Sequence, residues 1–113
     1  MKKEIIIHYK KKKIKVVAED CNWIRKFIGL MFSRREKAKI LLFRFDRKGK
    51  IAIHSFFVFY SFVAVWLDEK NKVVDLRVVK SFVPYVSHKN KADKLIEVPI
   101  SKKYDDILTL LIS

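Results

Sequence analysis

The sequence predicts an α+β domain that is mostly β: a small, partly closed, antiparallel-rich β-barrel with one or two short helices. Three observations predict it. Most of the 113 residues fall into short apolar runs separated by polar turns. One stretch, Trp23 to Leu30, has helical spacing instead. Residues 54–68 carry no acidic or basic charge before Asp68 except for His54, so this block must lie at the centre of the core.

Composition sets the outer limits. A chain of this length is one domain, residues 1–113. Half its residues are apolar, enough for a real core and too many for disorder. The longest apolar run, Phe56 to Leu67, is broken by Ser61 and is too short for a bilayer-crossing helix. Ile5-Ile6-Ile7 is too brief for a signal-peptide core, and the single Cys21 excludes an internal disulfide. A cytoplasmic protein with no membrane partner is therefore expected.

Each element has its own reason. Glu4 to Tyr9 and Ile14 to Ala18 are β-prone runs joined by Lys10-Lys11-Lys12-Lys13, which reads as a hairpin with a lysine-rich turn. Asn22 is a good N-cap, and Trp23, Phe27 and Leu30 follow on one helix face, so a helix is predicted at 23–30. Ser33 to Lys39 is a charged link. Ile40 to Phe45 and Lys50 to Phe57 read as strands around an Asp46-Arg47-Lys48-Gly49 turn. Val63 to Leu67 and Val73 to Val79 read as another hairpin around Asp68-Glu69-Lys70-Asn71-Lys72. Ser81 to Asp93 reads as a long loop, Leu95 to Val98 as a short strand closed by Pro99, and Ile107 to Ile112 as a final strand.

The net charge of +14 is uneven: residues 1–50 hold 17 Lys/Arg against 5 Asp/Glu. Such asymmetry points to an anionic partner for the first half, with Lys10, Lys11, Lys12 and Lys13 as candidate phosphate contacts. The bland alternatives are a solvated turn and a thermophile-like surface, since lysine dominates the basic residues. Weak, non-specific nucleic-acid binding is the expected form of any such role.

In the aromatic block an unbroken strand would put Phe56, Val58, Tyr60 and Phe62 on one side and Phe57, Phe59, Ser61 and Val63 on the other. Both sides need cover. A barrel interior, a homodimer contact and an aromatic nucleic-acid platform are the three readings.

Four segments, taken in order, resemble the family called domain of unknown function 192. They are Asn22 to Phe32 with its Gly29-Leu30-Met31, then Ile40-Leu41-Leu42-Phe43, then His54-Ser55-Phe56-Phe57 with Val65-Trp66-Leu67-Asp68, and finally Lys91-Ala92-Asp93 with Leu95 to Pro99. The resemblance spans about residues 13–112. It implies a small β-rich domain with one or two short helices and no established activity. Relatives commonly carry a basic residue, a proline and an aspartate where this chain has Phe59, Ser61 and Val63. Any pocket here is thus expected to be apolar and aromatic, around His54, Phe57, Phe59 and Val63.

Catalytic and metal signatures are not evident. His8, His54 and His88 are far apart, and no pair has zinc-site spacing. Two glycines are too few for a Gly-rich phosphate loop. No cofactor or metal is expected. The leading reading is a non-enzymatic binding or interaction module. Nucleic-acid binding through the basic half comes next, and an enzyme with a cleft around His54 is third.

Overall fold

The computed structural model describes residues 2–21, 34, 35, 37–49, 58–83, 85–87 and 91–112. The predicted helix at 23–30, the strand at 50–57, His54 and Phe57 lie outside the described residues.

Six strands are described: β1 (Lys2–Tyr9), β2 (Lys12–Asp20), β3 (Leu41–Gly49), β4 (Phe62–Leu67), β5 (Val73–Val79) and β6 (Ala92–Pro99). A 3₁₀ turn, Lys102–Tyr104, leads into helix α1 (Asp105–Ile112). The strands form one sheet in the order β1-β2-β3-β6-β4-β5. Every pairing is antiparallel except β2 with β3. The sheet curls into a half-barrel, as the mostly-β expectation requires.

Alternation drives the curl. In β1 and β2 the residues Ile5, Ile7, Ile14, Val16 and Ala18 are buried, while the intervening side chains face water. The inward set meets Leu42, Val63, Val65, Leu67, Ile96 and Val98 in one interior cluster. Leu108 and Leu111 of α1 add to it from the end of the sheet. A second cluster lies on the other face, built from Leu41, Phe43, Tyr60, Phe62, Ala64, Trp66 and Leu95. All six residues of β4 are therefore buried, because it has apolar cover on both faces. Fully burying a side chain the size of Trp66 is worth about 4–6 kcal/mol as an upper estimate.

Two turns set the hairpins. Asp68 Oδ1 accepts hydrogen bonds from the N–H groups of Lys70 and Lys72, each at 2.9 Å, and Asn71 takes a positive φ of 62°. Both residue types suit that geometry. At the first hairpin Lys10 and Lys11 occupy positive φ, 48° and 64°. This is the type I′ pattern, which matches strand twist but strains non-glycine residues.

Three expectations need correction. Ile107 to Ile112 is helix, not strand. Leu108 and Leu111 recur at helical spacing, and Asp105 and Asp106 sit in the first turn, where the helix dipole favours acids. Asp46 to Gly49 continues β3 instead of turning. An irregularity between Arg44 and Gly49 lets Gly49 pair with Ala92, after Arg44 has paired with Lys94. For the same reason β6 starts at Ala92, ahead of the expected Leu95.

Candidate functional site

An open cleft lies at the end of β5. Strand order explains it. After β5 the chain must pass β4 to reach β6, so residues 80–91 form a long connection. Its first part folds back along the strand it has just left. Arg77, Val78, Val79 and Lys80 form one wall, and Val83, Tyr85, Val86 and Ser87 form the other. The space between is about 660 Å³, within the range of small-molecule sites.

Exposed aromatic rings flank the β4–β5 hairpin in sequence. Phe59, Phe82 and Tyr85 are 59%, 52% and 68% exposed, and Val78 is exposed as well. The Phe59 and Phe82 rings meet edge to face, with centroids 5.6 Å apart and planes at 74°. Phe82 holds this position with a φ of 62°. That is an outlier for a bulky residue and costs about 1–3 kcal/mol. An exposed ring on a strained backbone makes Phe82 a candidate contact residue.

Four of the lining residues, Arg77, Lys80, Tyr85 and Ser87, carry polar groups. Arg77 Nε lies 3.9 Å from Asp75 Oδ2, an exposed and weak pairing that leaves the guanidinium free to turn. Lys80 adds a second positive charge to the cleft wall. The Ser87 hydroxyl oxygen is buried and has no hydrogen-bond partner among the described residues. Such a group ordinarily finds a partner from protein, water or ligand. Together these groups can hold an anion beside an apolar surface.

Among the described residues, those singled out from sequence, Phe59, Val63 and Lys10 to Lys13, are not gathered into one place. Phe59 was expected to pack either inside the barrel or against a second copy, and in the single chain it is exposed, which leaves the second setting open. The strand begins only at Phe62, yet the expected alternation runs back to Val58. Val58, Tyr60 and Phe62 are buried, and Phe59 is turned to solvent. Val63 is 0% exposed in the interior cluster, on a different surface from Phe59. Lys10, Lys11, Lys12 and Lys13 are all exposed at the hairpin tip, with Lys10 Nζ 5.2 Å from the Tyr9 ring centroid.

Sequence reasoning missed Arg77, Lys80, Phe82, Tyr85 and Ser87. The available signal was the aromatic content of 81–87, unusual for a solvated connection. It also missed Glu97, 5% exposed and flanked by Leu41 and Ala64 on neighbouring strands. Glu97 is the buried charged residue among the described residues. Cys21 is half-buried and its thiol donates to the Glu19 carbonyl at 3.4 Å, a structural arrangement. Among the described residues, no group of three or more His, Cys, Asp or Glu could hold a metal ion.

No family model matches the chain. A UPF0127 protein of Pyrococcus horikoshii is 30% identical over 78 residues, which cover 69% of this chain and 67% of that one. This chain belongs to the UPF0127 family. Other UPF0127 proteins give a similar picture. That of Pyrococcus furiosus is 30% identical over 78 residues, 69% of this chain and 66% of its own. That of Thermococcus kodakarensis is 28% identical over 79 residues, 69% of this chain and 50% of its own. The family name carries no activity, and these relatives come from thermophiles.

Two solved structures share the UPF0127 half-barrel. A Sinorhizobium meliloti protein, described as a candidate transcription regulator, superposes with a TM-score of 0.73 at 12% identity. The match covers 94% of this chain and 84% of that one. A Novosphingobium aromaticivorans protein of unknown function gives 0.74 at 9% identity, covering 99% and 80%. At such identities the likeness is one of fold. No helix among the described residues is long and apolar enough to cross a membrane.

Proposed function

We propose that this UPF0127 protein is a non-enzymatic binding module, and that the cleft at the end of β5 takes a small amphipathic anion. An apolar body would lie against Val78, Val83, Val86 and the Tyr85 ring. Its carboxylate or phosphate would face Arg77 and Lys80, and Ser87 would donate a hydrogen bond. The observation that carries this reading is the lining itself, which sets Arg77 and Lys80 beside Val78, Val83, Val86 and the Tyr85 ring. The cleft's polar lining is a guanidinium, an ammonium, a phenol and a hydroxyl, a set suited to holding a ligand. The same reading places the chain in domain of unknown function 192, on the four segments that resemble it, and in the cytoplasm.

Anilinonaphthalene sulfonate is a suitable probe, being aromatic at one end and anionic at the other. Native protein should bind it saturably. Tyr85→Ala and Arg77→Gln should each weaken binding about tenfold while leaving the melting temperature unchanged. If both variants bind the probe like the native chain, the cleft is not the site. If light scattering shows a dimer that Phe82→Ser dissociates, and the probe does not bind, the exposed Phe59–Phe82 pair is a contact between copies and this face is not a ligand site.

A further inference from the structure

A second charged surface uses none of the residues of the β5 cleft. Three stretches distant in sequence meet at the base of α1. The Tyr104 hydroxyl donates to the Ala38 carbonyl at 3.0 Å, so the 3₁₀ turn is fastened to the segment that enters β3. Two adjoining clefts open beside this joint and share Lys103. One, about 190 Å³, is walled by Lys2, Lys39, Lys103 and Tyr104. The other, about 560 Å³, is walled by Arg35, Lys102 and Lys103. Glu19 borders the first and Asp105 the second, so positive charge prevails at five basic residues against two acidic ones. Arg34 and Lys37 stand exposed on the same segment. None of these seven basic side chains has a carboxylate within 4.0 Å among the described residues. The Ser101 hydroxyl oxygen in the second cleft is buried and has no hydrogen-bond partner among the described residues.

Five basic residues against two acidic ones leave an excess of positive charge, and an anion relieves its repulsion. The shape narrows the choice. Positive groups spread over two linked clefts exceed what one free phosphate can reach. The surface is concave, which a strand can follow and a bilayer plane cannot. We infer that the Arg35–Lys39–Lys103 clefts bind the phosphate backbone of a single-stranded nucleic acid, and that this surface, not the lysine hairpin, is the principal contact. The hairpin lysines lie at a convex tip, where each meets water on most sides. Clefts walled by low-dielectric protein strengthen the same charges.

The test compares two variants of equal charge. Arg35→Gln, Lys39→Gln, Lys102→Gln and Lys103→Gln are combined in one, and Lys10→Gln, Lys11→Gln, Lys12→Gln and Lys13→Gln in the other. All eight positions are exposed, and matching thermal melts confirm that both variants fold. Binding of a fluorescein-labelled single-stranded oligonucleotide of about 16 nucleotides is read by anisotropy across a salt series. The cleft variant should lose about tenfold or more in affinity. Its log–log salt slope should fall by about 3, because each single-strand contact contributes about 0.7. The hairpin variant should stay within about threefold of the native chain. Equal losses in the two variants, or no loss in either, would overturn the inference. So would sedimentation of the protein with phosphatidylserine vesicles in the absence of oligonucleotide binding.

Discussion

Phe59 and Phe82 come from opposite sides of the β4–β5 hairpin and meet edge to face, with ring centroids 5.6 Å apart, although both rings are more than half exposed. Rings buried together are ordinary core. Rings paired in water are a surface awaiting cover.

This pairing separates two positions that the sequence treats as neighbours. Phe59→Arg should cost only about 0.5–1.5 kcal/mol, the worth of an aromatic pair. Val63→Asp should cost about 4 kcal/mol or more, because it places an unpaired carboxylate in the interior cluster. Chemical denaturation of the two single variants measures both. Equal costs would mean that the two side chains share an environment.

The first hairpin carries strain that can be removed. Lys10 and Lys11 both sit at positive φ, where Asn and Gly are comfortable. Replacing them by Lys10→Asn and Lys11→Gly should raise stability by about 1 kcal/mol, net of the flexibility that glycine adds to the unfolded chain. The midpoint of a urea melt checks the sign. A lowered midpoint would show that the lysine side chains do more for the turn than its backbone geometry does.

Helix α1 should behave as part of the core and not as an appended tail. Leu111→Ala should cost about 2–5 kcal/mol and Leu110→Ala less than about 1, since only the first is buried. Tyr104→Phe should cost about 0.5–1.5 kcal/mol through loss of its hydrogen bond to Ala38. Thermal melts of the three variants rank them. A neutral Leu111→Ala would mean that the helix end is not packed on the half-barrel.

Elements with strong local chemistry were legible in the sequence. The β4–β5 hairpin was, because Asp68 and Asn71 are turn residues at turn positions and the flanking runs are β-branched. The alternation of β1 and β2 was equally plain. The last helix was not, because six residues rich in leucine and isoleucine satisfy both periods. What decides it is packing of Leu108 and Leu111 under the sheet, a tertiary matter. Gly49 read as a turn because glycine usually marks one, whereas here it serves an irregular strand pairing. The cleft was hidden for a different reason. Its two walls are consecutive in sequence, Arg77 to Lys80 and Val83 to Ser87. They become a site only because the strand order forces a long connection back over β5.

The central claim is that the cleft beside β5 holds a small amphipathic anion, and backbone amide chemical-shift mapping tests it most directly. A series of simple aromatic carboxylates and phosphates is titrated into isotope-labelled protein. The account predicts saturable shifts concentrated at Arg77 to Lys80, Phe82, Val83 and Tyr85 to Ser87, with β1 and β2 unmoved. Saturable shifts centred anywhere else on the half-barrel, or none with any member of the series, would contradict it.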